Sequence, residues 1–450
     1  MNLLGVRYCI NYTIHIMKNK FLLFCISTTI LSITIWSIPL DDKIKVDQTI
    51  PTKKNLKEFK KSYGYNQNQQ FLFKLKNNQS YTLAQILDSF NFDSKLGVYH
   101  FVHSSFVPLI YSYDVNDTIL MNFFSNFFSL AKLKSVIENK SINPMEKTQY
   151  MYLNLEYIRR NIINDKLNIE RNNDVQNLIE KTLLNEWNKE KGEIWPEEEF
   201  HFKGRRSRVA SILLNKIPQQ NEKSFHNAIT DFELFCIITG CSLASNQLKS
   251  HGKIKPEIEE FIVYMFQILK TQCKIYSDGR WLLQPGVWKD YSDYLYAGNS
   301  IPQKNLNISK IDTISWDASH SARWPIFIQT LKSLFKPISN EYNLLNTFQK
   351  GLTDQFLFKV VSQNKGIPRF NNYMDGSNGF YRYNYSTLKN GYAPFTCNKH
   401  IFLAWWKLLD DKRIDELYHN IDLNYDYYQS EYKGEIIRQK LLFKLLISLN

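Results

Sequence analysis

Three stretches in the C-terminal half of the sequence bring carboxylates, bases and aromatic rings close enough together to do chemistry. They are Ser277–Asn299 (SDGRWLLQPGVWKDYSDYLYAGN), Ser315–Pro325 (SWDASHSARWP) and Arg369–Phe395 (RFNNYMDGSNGFYRYNYSTLKNGYAPF). Aromatic faces stack on the apolar faces of sugar rings, while Asp, Asn and Arg bond hydroxyls and carboxylates in pairs. Interspersed Gly lets backbone approach a ligand closely. Together the three stretches have the composition of a carbohydrate cleft. Trp288, Asp290, Asp293, Trp316, Arg323, Arg382 and Tyr392 are its expected substrate contacts.

Glycoside hydrolysis is the reaction expected first; elimination from a uronate polymer, or a non-catalytic glycan-binding envelope protein of the same fold, is the alternative. Glycoside hydrolysis needs one carboxylic acid to protonate the leaving oxygen and one carboxylate to activate water or attack. Asp317, set among apolar and aromatic neighbours that raise a carboxyl pKa, is the expected acid. Its partner is Asp375 of MDGSNG, or Asp290 or Asp293 of WKDYSD. Elimination from a uronate instead needs a base to take the proton beside the carboxylate and a cation or amide to neutralise that carboxylate. His320 and Tyr381 suit the first task, Arg323 and Arg382 the second. Each residue also has a plainer use. Asp317 caps a helix beginning near Ser319, Asp375-Gly376 and Asn390-Gly391 mark turns, and the arginines serve structural ion pairs.

The segment from Trp316 to Trp324 (WDASHSARW) is similar to the WD-x-S-S-R-W loop of trehalases, with two extra residues before the Arg. Asn390–Pro394 (NGYAP) resembles the NGWAP segment of the same family. The match covers under a tenth of the chain. It implies a six-hairpin (α/α)6 toroid of the glycosidase and polysaccharide lyase type, and a general-acid role for Asp317. The trehalase substrate is not carried over.

The elements that must position these residues are helices. Apolar residues at Ile258, Phe261, Ile262, Met265, Ile268 and Leu269 follow a helical period after Pro256, as do Met151, Leu155, Ile158 and Ile162. Similar periods near 120–136, 175–187, 209–214, 225–238, 324–335, 344–361, 401–409 and 436–449 predict about ten to twelve helices, with little strand alternation. The expected class is all-α, with two long aromatic loops, 276–316 and 364–398, carrying a site over a helical scaffold. Trp405-Trp406 is expected in the core, and Glu197–Glu199 at a solvated helix start.

Ahead of this domain, Phe21–Leu40 carries no charge, long enough to span a bilayer, with Lys18 and Lys20 before it and Asp41 and Asp42 after. A secretory signal opening at Met17 fits as well. The expected organisation is a cytoplasmic tail (1–20), a membrane anchor or signal peptide (21–40), a polar linker (41–81) and a helical catalytic domain (82–450). Either reading of the apolar segment puts that domain outside the cytoplasm, at a bacterial envelope.

The chain has 56 Lys and Arg against 43 Asp and Glu, a formal net charge of +13 over 450 residues. That favours an anionic partner. The abundance of Asn, Lys, Ile and Tyr is also what an AT-rich genome supplies. Basic residues are spread rather than gathered in a stripe, so no nucleic-acid partner is expected. The expected partners are an oligo- or polysaccharide, acidic in character, and a membrane through the N-terminal segment. There is no G-x-S-x-G, HExxH, G-x-x-x-x-G-K-[ST] or G-x-G-x-x-G sequence. The six cysteines form no CxxC pair, and His100 and His103 lack a third metal ligand nearby. No metal and no cofactor is expected.

Overall fold

The structure is a computed structural model. It describes residues 63–64, 76–90, 92, 94–163, 169–189, 191–194, 198–215, 223–303, 305–364, 366–383, 391–427 and 433–447. The chain divides into Met1–Thr49 and Ile50–Asn450. The expected tail and apolar span, 1–40, and residues 41–62 and 65–75 of the expected linker lie outside the described residues.

The second unit is mostly helical, as the periodicity predicts. Helices α1 (Asn77–Asp88), α2 (Lys95–Asp114), α3 (Thr118–Phe127), α4 (Leu130–Glu138), α5 (Pro144–Ile163) and α6 (Ile169–Trp187) come first. Strands β1 (Lys191–Ile194) and β2 (Glu198–Lys203) form an antiparallel hairpin before α7 (Gly204–Leu213). The expected helix start at Glu197–Glu199 is thus corrected, since Glu198 and Glu199 belong to a strand. Next come α8 (Asp231–His251) and α9 (Pro256–Thr271), then the hairpin of β3 (Cys273–Ile275) and β4 (Trp281–Leu283). The short α10 (Ala318–Ser321) precedes α11 (Trp324–Lys332) and α12 (Asn340–Gln355). The hairpin of β5 (Val361–Asn364) and β6 (Ile367–Phe370) leads to α13 (Lys399–Phe402), a 3-10 turn at Trp405–Leu409, α14 (Lys412–His419) and α15 (Lys433–Ile447). Folded structure begins ahead of the expected boundary at residue 82. Helix α1 opens at Asn77, and the Gly64 amide donates to the Leu334 carbonyl at 3.0 Å.

Five of these elements close a cycle of packing: α2 on α5, α5 on α8, α8 on α11, α11 on the 405–409 turn, and that turn back on α2. A side-chain hydrogen bond pins each joint. His103 Nε2 meets Gln149 Oε1 at 3.1 Å, and Asn246 donates to the Leu155 carbonyl at 3.0 Å. Ser245 meets Ser333 at 2.9 Å, Gln329 donates to the Leu408 carbonyl at 2.8 Å, and Trp405 donates to the His103 carbonyl at 3.0 Å. One aromatic ring from each element fills the middle. Phe106 lies 5.3 Å from Tyr152 and 5.9 Å from Trp405, Tyr152 lies 6.2 Å from Phe235, and Phe235 meets Phe327 edge-on at 5.2 Å.

The buried position of these inner helices explains their sequences. The stretch Ser224–His251, which ends in α8, is apolar enough to cross a bilayer, yet its most apolar part is mostly buried inside the fold, as in a core helix. Gly240 in it admits the Phe261 ring of α9, whose Cγ would lie 2.2 Å from an added Cβ. The other helices pack outside, α3 on α2, α9 on α8 and α12 on α11.

Candidate functional site

The three aromatic stretches meet just before α11. An isolated bridge joins Asp317 to Tyr373, and another joins Tyr381 to Tyr392. Asn372, fully buried, ties the third stretch together. Its amide donates to the Gly379 and Ala393 carbonyls at 2.9 Å each, and its Oδ1 accepts the Cys397 amide at 3.0 Å. Asp293 links the first stretch to the third: its carboxylate accepts from Arg382 Nε at 2.8 Å and its carbonyl from the Arg382 amide at 2.9 Å.

Asp317 sits at the junction and is fully buried. It is the N-cap of α10, accepting the His320 amide on Oδ1 at 3.0 Å. The cap folds the next turn back, so that His320 Nδ1 reaches Asp317 Oδ2 at 2.7 Å, where the Tyr294 hydroxyl also donates at 3.1 Å. The Cys397 thiol lies 3.9 Å from Oδ1. Burial works to raise the Asp317 pKa, but the His320 ring and amide, with Arg382 behind them, hold the carboxyl below the usual carboxylate range. Aromatic rings wall the couple in. Trp288 stacks on Tyr294 at 5.7 Å and meets Trp316 edge-on at 5.7 Å, and Tyr381 lies 5.3 Å from Tyr294 and 6.4 Å from His320.

This geometry revises the role expected of Asp317. A carboxylate held ionised by donors on both oxygens accepts hydrogen bonds and has no proton to give to a glycosidic oxygen. The His320 side chain is 16% exposed and carries the polarity of Asp317 outward. A ring nitrogen held by a buried carboxylate is a pairing able to act as a base with an orienting acid. Tyr294, Tyr373 and Tyr381 are kept as neutral phenols, chiefly because burial raises their pKa.

The other expected contacts fall into three groups. Trp288, Trp316, Tyr381 and Tyr392 line the junction, and Asp293 and Arg382 clamp it. Asp375 caps its own turn, accepting the Ser377 amide at 2.9 Å and the Ser315 amide at 3.3 Å, and stays half-buried beside the junction. Asp290 is not brought in: it pairs with Lys310 and Ser224 at 3.0 Å each. Ser224 helps line a cavity of about 610 Å³ with Gln272, Gln284 and Val287, the last two from the first stretch. Arg323 faces the inner ring, ion-paired with Asp231 at 2.5 Å.

Sequence reading missed Tyr294, Asn372, Asp231, Lys399 and His400. Each is buried, and nothing in its local spacing marks it. Lys399 Nζ meets His100 Nδ1 at 3.0 Å, so His100 and His103 serve the inner ring. Among the described residues no group of three His, Cys, Asp or Glu is placed to hold a metal. No family model, curated protein or solved structure matches the chain.

Proposed function

We propose that the chain is a carbohydrate-active enzyme that cleaves an acidic polysaccharide, with His320 as the base and Asp317 as its positioning residue. The observation that carries this reading is the Asp317–His320 couple, 2.7 Å apart, at the point where the three aromatic stretches converge. The closed cycle of helices supports a toroid scaffold, with five inner elements among the described residues where the resemblance implies six. The apolar Phe21–Leu40 segment supports a place outside the cytoplasm.

Elimination fits the couple best. His320 takes the proton from the carbon beside the uronate carboxylate, and the electron pair forms the new C=C bond. The bond from the neighbouring carbon to the glycosidic oxygen breaks, and that oxygen takes a proton from the neutral Tyr381 phenol. Hydrolysis is the second reading, favoured by half-buried Asp375 as a carboxyl group beside the junction. Incubation with hyaluronan, alginate, chondroitin and polygalacturonate tests both, followed by reducing ends and by ultraviolet absorbance. Reducing ends with absorbance support elimination, reducing ends alone support hydrolysis, and neither on any polymer refutes the proposal.

A further inference from the structure

Beside the junction lies a second layer of polar groups that the reaction does not use. In four inner helices it sits one turn N-terminal to the ring-filling aromatic. His103 precedes Phe106 in α2, Gln149 precedes Tyr152 in α5, Asp231 precedes Phe235 in α8, and Arg323 precedes Phe327 in α11. His103 meets Gln149 and Asp231 meets Arg323, so each pair bridges two neighbouring inner helices. Asp317 and His320 immediately precede α11, and Lys399 and His400 precede the fifth element, the 405–409 turn.

The layer is buried, and two of its pairs bridge neighbouring helices. His103, Gln149, Asp231, Arg323, Lys399 and His400 are each at most 8% exposed. His103 meets Gln149 at 3.1 Å, and Arg323 meets Asp231 at 2.5 Å. The charges of Arg323 and Lys399 both act on His103, and that of Asp317 acts on His400. Such groups are costly to bury without partners. Yet Gln149 Nε2, Arg323 Nε, Asp231 Oδ1 and both ring nitrogens of His400 have no hydrogen-bond partner among the described residues.

The chemistry of these atoms points to one kind of ligand. Gln149 Nε2 and Arg323 Nε donate, as do the Lys399 ammonium and one nitrogen of His400, which suits the oxygens of an anion. Asp231 Oδ1 accepts, which suits a hydroxyl beside it. A uronic acid carries an anionic group next to a hydroxyl on one ring.

We propose that the layer of Gln149, Asp231, Arg323, Lys399 and His400 is a subsite for the carboxylate and adjoining hydroxyl of a uronate residue. The inference rests on the glycan-cleaving reading above and deepens it. It moves Arg323 from the aromatic junction to the layer beside it and adds four residues to the binding surface.

The test uses the full chain with His320→Ala, which removes the proposed base so that binding is read without turnover. Calorimetry measures the affinity of whichever uronate oligosaccharide the wild type cleaves, of its carboxyl-reduced form, and of a sulfated neutral glycan. Adding Lys399→Met is expected to weaken the uronate about tenfold to a hundredfold, the range for one charged hydrogen bond, and to leave the carboxyl-reduced form unchanged. Lys399→Arg is expected to restore most of the loss, and Gln149→Leu to cost a few-fold. Equal affinity for acid and reduced forms, an unchanged affinity in Lys399→Met, or preference for the sulfated neutral glycan overturns the inference. In those cases wild-type cleavage leaves the enzyme reading standing. A wild type that neither binds nor cleaves any uronate polymer overturns both.

Discussion

Replacing Asp317 with Asn probes how His320 is held. The carboxylate accepts the His320 amide on Oδ1, and His320 Nδ1 and the Tyr294 hydroxyl on Oδ2. An Asn that keeps its carbonyl at the Oδ1 position preserves the helix cap but places an amide NH2 against Nδ1. The Tyr294 hydroxyl turns to accept. The imidazole must then present a lone pair at Nδ1 and carry its proton on Nε2, the nitrogen left to take the substrate proton in the proposed reaction. In serine-protease triads the wrong tautomer costs about 10⁴-fold in kcat, and a fall of about 10³- to 10⁴-fold is expected here with KM little changed. Stability should fall by only about 1–3 kcal/mol, since losing a charged acceptor is offset by not burying a charge. The acid limb changes too. A carboxyl whose pKa is depressed in the folded state contributes stability above its unfolded pKa of about 3.9 and loses it as pH falls further. The wild type should therefore weaken more steeply than Asp317→Asn in acid. Steady-state kinetics on the cleaved polymer, with circular dichroism and urea titration at several pH values, reads all three effects. A folded Asp317→Asn with more than about a tenth of wild-type kcat would show that Asp317 does not fix the His320 tautomer, since the wrong tautomer leaves far less.

Other consequences are more local. Trp288 is buried, and its indole nitrogen has no partner among the described residues, so Trp288→Phe should raise KM about fivefold to tenfold with kcat retained, if that nitrogen serves a sugar hydroxyl. Steady-state kinetics checks it, and an unchanged KM removes Trp288 from the binding surface. At Gly379 an added Cβ would lie 1.9 Å from the Ala297 carbonyl oxygen. Gly379→Ala should separate the first and third stretches and cost at least about 2 kcal/mol, read as a lowered urea midpoint together with lost activity. Burial, only partly countered by Asp317, lowers the His400 pKa to about 3. Below the unfolded pKa of about 6.5, stability should drop by up to about 1.4 kcal/mol per pH unit from this group. His400→Gln should flatten that slope between pH 6 and 4, as urea titrations at about pH 6, 5 and 4 would show.

Helices at the surface of the fold were legible because one face is apolar and the other is not. Helix α9 shows its pattern from Ile258 to Leu269 and runs over Pro256–Thr271. Helix α2 was not legible. Nearly every residue from Phe101 to Tyr113 is buried and Pro108 lies inside it, so neither a polar face nor a continuous helical propensity marks it. The loop 364–398 read as structureless because its β5–β6 hairpin covers only Val361–Asn364 and Ile367–Phe370. At the site, the aromatic and acidic composition pointed to Asp317, His320 and Tyr381, which the fold does bring together. The hydrogen bonding that holds Asp317 against His320 was invisible. It includes Tyr294, 23 residues earlier in the chain, and a fully buried Asp317. The inner layer was hidden for the same reason, because one residue from each of several helices leaves no motif.

The most direct test compares wild type with His320→Ala on uronate polymers, scoring reducing ends and ultraviolet absorbance together. Both should rise in parallel for the wild type, and neither for a folded His320→Ala. Reducing ends without absorbance in the wild type, or undiminished cleavage by His320→Ala, would contradict the proposed elimination.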